Sequence, residues 1–336
     1  MQAVLRCSLR FRRKDLQLMM SFTAVIGSVE LGLIYAILAL GVFLSYRTLN
    51  TADLTVDGSI VTGAAVSAML CSIDVHPLLA LIGAFAAGAL AGAVTSLLNI
   101  KLKIEPLLAG ILVMLGLYSI NMHIMGNRSN LALLKSPTLY KMVEAALPSV
   151  SHTALLVSGL FLIVIVVLFY LFLNTRLGFC LRATGDNEYM VRASGINSNA
   201  MKILGLAMAN GFVGLAGGLL AQYQSYAEIG MGTGIVVIGL ASVIIGETIF
   251  DFFAKSIPLL VRLIAVCTGA VLYRLVIAAA INAGMPANDM KLVSALIVTV
   301  ALSVGPLKAW GQQLLGNALR KPVPSHGNAP AEKEEQ

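Results

Sequence analysis

The sequence predicts an all-α fold, a polytopic transmembrane helix bundle of about eight spans plus one re-entrant or broken helix. Two observations lead to this prediction. Hydrophobic residues make up 58% of the chain and charged residues only 12%, with a mean hydropathy of +0.88, whereas a soluble domain carries about a quarter charged residues. The apolar residues also gather into runs close to the roughly 20 residues that a helix needs to cross a bilayer. At 336 residues the chain has room for one bundle and no separate soluble domain.

The apolar runs follow one another along the whole chain. They cover residues 22–45, 58–73, 77–100, 107–125, 153–173, 201–224, 231–250, 257–282 and 289–306. The run at 58–73 is the shortest, and at about 1.5 Å per helical residue it reaches only about 24 Å. The hydrocarbon core is roughly 30 Å thick. We therefore predict that this run is the re-entrant or broken helix and that it does not cross.

The distribution of basic residues supports the same prediction. Basic residues mark the arm at 1–21, the turn at Lys101 and Lys103, and a polar island at 174–202. Basic loops concentrate on the cytoplasmic side of a membrane, and these three segments lie on one side only if one run does not cross. The termini, including a disordered tail at 307–336, are then cytoplasmic, whereas the loop at 46–57 is outside. The membrane domain is predicted to span 22–306.

Charge and cysteine usage exclude other classes of protein. The net charge of +7 comes from basic residues between apolar runs and in the N-terminal arm, which is typical of a membrane protein surrounded by lipid and not of a nucleic-acid-binding protein. The four cysteines and four histidines are scattered without paired spacing. The sequence therefore predicts neither a disulfide framework nor a metal site.

Four charged residues lie within the apolar runs and away from the ends of the runs: Glu30, Glu247, Arg262 and Arg274. A charge near the bilayer centre costs about 2–3 kcal/mol unless it is paired or wetted. Two acids and two bases suggest internal ion pairs. Lining of a translocation path and proton coupling remain as alternatives.

The segment before the short run is rich in residues that cap helices. It contains Asp53, Thr55, Asp57 and Ser59. Asp57 or Ser59 is expected to cap the following helix. The alternative is that this helix start, with Gln222 and Gln224 near the end of a later run, forms the outer mouth of a path and meets an anionic solute group.

The island at 174–202 predicts a docking surface for another protein. No Walker-type phosphate loop and no catalytic constellation occur in the sequence, so we expect no enzyme activity and an external source of energy. Asp186 to Glu188 is typical of a helix start and Gly195 of a helix stop. This predicts a short amphipathic helix at 187–194 that presents Tyr189 and Val191. The alternative is a membrane-surface helix with no partner.

Two motifs resemble a known family. Leu177-Gly-Phe-Cys-Leu-Arg-Ala-Thr-Gly-Asp-Asn-Glu188, followed by Ser194-Gly-Ile-Asn-Ser-Asn199, resembles the coupling loop of permease subunits in ATP-binding-cassette (ABC) importers of the branched-chain amino acid type. Arg47-Thr-Leu-Asn50 with Asp53-Leu-Thr-Val-Asp-Gly-Ser59 is similar to a subgroup described as tryptophan/tyrosine permeases. The likeness runs over about residues 22–305.

The resemblance implies a permease in a bacterial inner membrane that imports a small solute, either an aromatic or a branched-chain amino acid. Its implied partners are two cytoplasmic ATPase subunits, a second permease copy or paralogue, and an extracytoplasmic substrate-binding protein. ATP and Mg²⁺ would be bound by the ATPase and not by this chain. The implied coupling residues are Arg182, Asp186, Asn187, Glu188, Tyr189, Arg192 and Gly195.

The rival interpretation is an ion-coupled secondary transporter or channel. That class predicts internal inverted repeats with intramembrane acids in matching halves. Residues 22–125 and 153–306 show no convincing self-similarity. The sequence therefore favours a permease that depends on a separate ATPase.

Overall fold

The computed structural model describes residues 23–134, 136–148, 152–253, 258–286, 289, 292–300 and 303. The helices are α1 (Thr23–Thr48), α2 (Val56–Ser72), α3 (Pro77–Leu102), α4 (Pro106–Ile124), α5 (Leu139–Ala146), α6 (Thr153–Leu173), α7 (Arg176–Asp186), α8 (Glu188–Ala193), α9 (Ser198–Gln224), α10 (Ile235–Phe253), α11 (Leu259–Asn282) and α12 (292–300). The last turns of α1, Phe43–Thr48, are π-helical. Strands β1 (Asn130–Ala132) and β2 (Tyr226–Glu228) pair in an antiparallel ladder, and a 3-10 turn follows at Ile229–Gly232.

The predicted all-α membrane bundle is confirmed. Within the described ranges, seven helices are long and apolar enough to cross a membrane, and α2 is a shorter apolar helix. The eighth predicted crossing, at 289–306, falls partly outside the described residues and stays a prediction. The arm at 1–21 and the tail at 307–336 lie outside them altogether.

Local sequence signals explain several helix ends. Pro77 and Pro106 occupy the first positions of α3 and α4, where the missing N–H costs nothing and the fixed φ suits a helix. The side chain of His76 accepts a hydrogen bond from the Leu78 amide and so caps α3. Lys103 ends α3 in the left-handed conformation at φ 54°.

Helix α9 is the centre of the bundle and packs tightly against α2 and α3. A Cβ on Gly63 would collide with the carbonyl of Gly214, and one on Gly88 would collide with the carbonyl of Asn210. Small residues let helix backbones approach this closely. The small-residue spacing of Gly83, Gly88 and Gly92 in the sequence predicts close helix packing. This prediction is confirmed, because Gly88 and Gly92 face α9 and Gly83 faces α2.

The end of α1 lies on the same face of the bundle as α7 and α8. A Cβ on Gly185 in α7 would overlap the carbonyl of Thr48, and one on Gly205 in α9 would overlap the side chain of Leu49. We call this side the coupling face. The opposite side, the far face, carries α5 and the β1–β2 ladder, and Glu30 reaches it through a hydrogen bond from Tyr223 near the end of α9.

The short run therefore crosses, contrary to the prediction. From Thr48 on the coupling face the chain continues without helix through 49–55 and then as α2, whose end joins α3 on the far face. The prediction of a short broken helix is confirmed, but the loop at 46–57 and the island at 174–202 share one face. The helix alone is too short to cross the hydrocarbon core. The seven non-helical residues before it, at up to about 3.3 Å each, supply the missing length.

The start of α1 lies on the far face, opposite to α7 and α8, because Glu30 accepts a hydrogen bond from Tyr223 near the end of α9. A cytoplasmic N-terminal end of α1 and a cytoplasmic island at 174–202 are thus incompatible. The prediction of both depended on the expectation that the run at 58–73 does not cross. Which of the two faces is cytoplasmic stays a prediction.

Candidate functional site

The polar island folds as two short helices joined at a corner. The predicted helix at 187–194 is present as α8, but its cap is Asn187, whose side chain accepts a hydrogen bond of 3.1 Å from the Met190 amide. Asp186, predicted to start this helix, is instead the last residue of α7. The predicted stop at Gly195 is confirmed by its φ of +78°, a conformation that glycine adopts without strain.

Glu188 fixes α8 to the first turns of α9. Its carboxylate accepts hydrogen bonds from Arg192 and Lys202, each at 2.6 Å, and from Ser198 at 3.2 Å. The hydrogen bond from Lys202 is the main reason that the pKa of Glu188 lies below its ordinary value of 4.5. We call Glu188 with these three partners the α8–α9 clamp. The clamp joins α8 to the central helix of the bundle through the side chains of Ser198 and Lys202.

Two large side chains of α8 project away from the protein. Tyr189 is 85% exposed and Met190 is 70% exposed, whereas Val191 is buried and anchors the helix. Of the predicted coupling residues, Glu188 and Arg192 belong to the clamp. Arg182 and Asp186 lie on α7 and line a separate cavity with Arg47.

A buried polar cluster holds the 49–55 segment against α9 and α3. The Asp53 carboxylate accepts hydrogen bonds from the Thr55 amide at 2.9 Å and from the Asn210 side chain at 2.6 Å. Ser59 donates to the Asn210 side-chain oxygen at 2.7 Å, and the hydroxyls of Thr55 and Thr95 lie 2.7 Å apart. Asp53, Thr55 and Ser59 are all buried. Their hydrogen bonds are made within one protomer. A role for these three residues in lining the translocation path stays a prediction.

Asp57 links two helices that begin inside the bundle. Its carboxylate accepts hydrogen bonds from the amides of Gly234 at 2.9 Å and Val236 at 2.8 Å, so it caps α10. The expectation that Asp57 or Ser59 caps α2 is wrong, because α2 has Thr55 at its N-cap and, among the described residues, no side-chain cap. The start of α10 lies 177 residues away in sequence, too far for a local pattern to indicate.

A central cavity lies beside Asp57, between α2, α4 and the turn before α10. Its volume is about 230 Å³, and its walls include Asn121 and Tyr118 with apolar Met114 and Leu115. Asn121 is 1% exposed, and its side-chain oxygen has no hydrogen-bond partner within the described part of the chain. The cavity thus combines apolar walls with polar groups that can bind a solute.

The comparison with known families decides the class of this chain. A family model described as "Branched-chain amino acid transport system / permease component" matches residues 25–302. The chain belongs to this family. The permease is therefore the membrane-spanning subunit of an ABC importer for a small solute.

Individual relatives agree with this assignment. The permease is 37% identical over 285 residues to the tyrosine transport system permease protein of Clostridioides difficile, covering 85% of this chain and 92% of that protein. It is 33% identical to an uncharacterized protein of Rickettsia prowazekii, covering 83% and 96%. It is 31% identical to the ribose import permease protein of Escherichia coli, covering 63% and 65%. No solved structure matches.

The ionisable residues of the permease make different contacts from those expected. Glu247 forms an ion pair at 3.0 Å, but its partner is Arg47 and not one of the intramembrane arginines. Glu30 accepts a hydrogen bond from Tyr223 at 2.9 Å, and the Arg274 guanidinium lies 3.9 Å from the centre of the Tyr35 ring. Among these four residues, as far as the structure describes them, only Glu247 forms an ion pair. Arg262 lines the same cavity as Arg47.

Gln222 and Gln224 lie at the far-face end of α9. The Gln222 amide donates to Ser67 at 3.0 Å and to the Pro77 carbonyl at 3.2 Å, and its oxygen accepts from the Leu139 amide at 3.0 Å. Gln222 is fully buried, whereas Gln224 is half-buried. Gln222 therefore ties α9 to α2, α3 and α5, and a role at the outer mouth stays a prediction for both residues.

Proposed function

We propose that the permease imports an aromatic amino acid, driven by a separate cytoplasmic ATPase that docks on α8. The observation that carries the proposal is the geometry of α8, which exposes Tyr189 and Met190 while the clamp at Glu188 joins it to α9. The aromatic substrate is suggested by the similarity to the tyrosine transport system permease protein. ATP and Mg²⁺ would bind to the ATPase partner.

The charge of the coupling face supports a cytoplasmic location for α7 and α8. Within the described ranges, basic residues on or beside this face include Arg47, Lys101, Lys103, Arg176, Arg182, Arg192, Lys202 and Arg262, whereas the far face carries Arg128 and Lys141. This asymmetry follows the positive-inside rule. The far face is then extracytoplasmic, in a bacterial inner membrane, and receives solute from a binding protein.

Apolar exposure on α8 suits a protein partner. An exposed Tyr and Met on a polar face are typical of the buried centre of an interface, where charged residues are depleted. We therefore assign the direct ATPase contact to Tyr189 and Met190. Glu188 and Arg192, which the sequence suggested for this contact, transmit the movement through the clamp, with Asn187 and Gly195 fixing the two ends of α8.

The movement has a continuous route into the bundle. The clamp moves α9, α9 is packed directly on α2 at Gly214 and Gly63, and Asp57 in α2 holds the start of α10. Of these elements, α2 lines the central cavity, together with α4 and the turn before α10. ATP binding in the partner would thus shift the bundle between outward-facing and inward-facing states.

The central cavity is proposed to form part of the translocation path. At about 230 Å³ it is smaller than the roughly 300 Å³ at which ligand pockets begin, and Leu115 and Tyr118 at its edge are 61% and 56% exposed. A second permease copy packed on α4 would complete it. Asp57 and Asn121 would then meet the polar end of the solute, and Met114 and Leu115 its apolar part.

Uptake by the complete importer tests the proposal. The permease, its ATPase and its binding protein are reconstituted into vesicles, and uptake of radiolabelled tyrosine, leucine and ribose is measured with ATP. We expect uptake of tyrosine well above that of the other two. Preferential uptake of ribose or leucine would contradict the aromatic substrate without affecting the assignment to the family.

A further inference from the structure

A second cavity opens on the coupling face, between the last turn of α1, helix α7 and the first turn of α11. Its volume is about 460 Å³, within the range of ligand-binding pockets. Three guanidinium groups line it, from Arg47, Arg182 and Arg262, together with the carboxylate of Asp186. None of these groups is needed for the route from α8 to the central cavity.

The formal charge of the cavity is positive. The lining contributes three arginines and one aspartate, and Glu247 compensates Arg47 through the ion pair at 3.0 Å. Three positive and two negative charges leave a net charge of +1. The Arg182 Nε is buried and has no hydrogen-bond partner in the described part of the chain, although its guanidinium lies 4.5 Å from the centre of the Phe179 ring. A singly charged anion would satisfy both features.

The surroundings of the cavity indicate the boundary between lipid and water. Phe179, which lines it, is 56% exposed, and Leu260 and Ile264 beside Arg262 on α11 are 39% and 45% exposed. Helix α6, which leads into α7, also exposes large apolar side chains such as Leu168 and Leu171. Basic pockets between transmembrane helices at such a boundary are typical sites for anionic lipid headgroups.

We propose that this cavity binds the phosphate group of an anionic phospholipid, with the acyl chains in the surrounding bilayer. A phosphodiester carries one negative charge, and guanidinium groups match its oxygens with paired hydrogen bonds. The bound lipid bridges α1, α7 and α11 and so holds the base of the α7–α8 corner against the bundle. This site is independent of the identity of the imported solute.

The test measures retention of phosphatidylglycerol by the full-length permease purified with its ATPase. Native mass spectrometry compares the wild type with Arg182→Gln and Arg262→Gln, and phosphatidylcholine and inorganic phosphate serve as competing probes. We expect phosphatidylglycerol affinity to fall about fivefold for each variant, since one basic residue near a membrane contributes about 1 kcal/mol. The matched control is Arg176→Gln, an exposed arginine of α7 outside the cavity, which should retain phosphatidylglycerol as the wild type does.

Other results would overturn the proposal. Equal binding of phosphatidylcholine, or inorganic phosphate that protects the complex from heat as well as phosphatidylglycerol does, would show that no anionic lipid is selected. If the variants lose the ATPase but keep phosphatidylglycerol, the cavity is a contact site for the ATPase and not for a lipid headgroup. Arg262→Lys keeps the charge but loses the paired hydrogen bonds, so it should bind phosphatidylglycerol more tightly than Arg262→Gln does. Equal losses in the two variants, in a folded and monodisperse complex, would also contradict a headgroup site.

Discussion

Replacement of Glu188 by glutamine tests whether α8 acts through α9. The variant keeps the shape of the side chain but loses the charge that holds Arg192 and Lys202, each at 2.6 Å. The Glu188 side chain is 28% exposed and that of Arg192 is 53% exposed, so solvent screens both pairs. Arg192 lies on α8 itself, so only the ion pair with Lys202 joins α8 to α9. An exposed pair of this kind contributes about 0.5 kcal/mol, which corresponds to about a twofold change in an equilibrium between attached and detached α8.

The assay has two readouts on the complete importer. Hydrogen exchange at the amides of α8 should become about twofold faster in Glu188→Gln, and ATP-driven uptake should fall while ATP hydrolysis and ATPase co-purification persist. The matched control is Glu144→Gln, an exposed glutamate of α5 on the far face, which should change neither readout. Wild-type uptake in Glu188→Gln together with faster exchange would refute transmission through the clamp.

The same clamp predicts a pH dependence. The pKa of Glu188 is lowered, chiefly by the hydrogen bond from Lys202, so the stabilisation is present above the ordinary pKa of 4.5 and is lost as the pH falls through the lower pKa of the folded protein. Hydrogen exchange at α8, corrected for the intrinsic rate, should therefore be constant from neutral pH down to about pH 5. Loosening of α8 between pH 7 and pH 6 would contradict this.

Three further predictions address the interface, the packing and the cavity. The double variant Tyr189→Ala with Met190→Ala should reduce ATPase co-purification at least tenfold. Truncating aromatic and Met side chains that are buried in an interface costs about 2 kcal/mol or more. Unchanged co-purification would exclude α8 as the docking site. Gly63→Ala should destabilise the permease by about 1–3 kcal/mol in thermal unfolding, because its methyl group would meet the Gly214 backbone, whereas Gly116→Ala, which has open space around it, should be close to neutral. Asp57→Asn should slow uptake without loss of ATPase binding, and unchanged uptake would remove Asp57 from the path.

The composition and hydropathy of the chain predict its fold class, because the bilayer admits few other structures for such a sequence. The short α2, the glycines of α3 and the helix α8 with its stop at Gly195 were likewise predictable from local patterns. Helix α7 was missed, although Leu177 and Leu181 lie four residues apart, a spacing typical of one face of an amphipathic helix. Its brevity and its charged residues made it resemble a loop.

Long-range contacts could not be predicted. Arg47 and Glu247 are 200 residues apart, and Asp57 and the start of α10 are 177 residues apart. Local periodicity reports on which residues share a helix face and not on which helices become neighbours. The crossing at 49–72 was misjudged for a related reason. Hydropathy detects helical spans, and it does not detect a non-helical segment that is buried among polar partners such as Asn210.

The central claim is that an external ATPase drives the permease through α8. It is tested most directly by solute uptake into vesicles that hold the permease alone, or the permease with its ATPase and binding protein. We predict uphill uptake only in the complete system with ATP, and its loss when Tyr189 and Met190 are both replaced by alanine. Uphill uptake by the permease alone on an ion gradient would contradict the account.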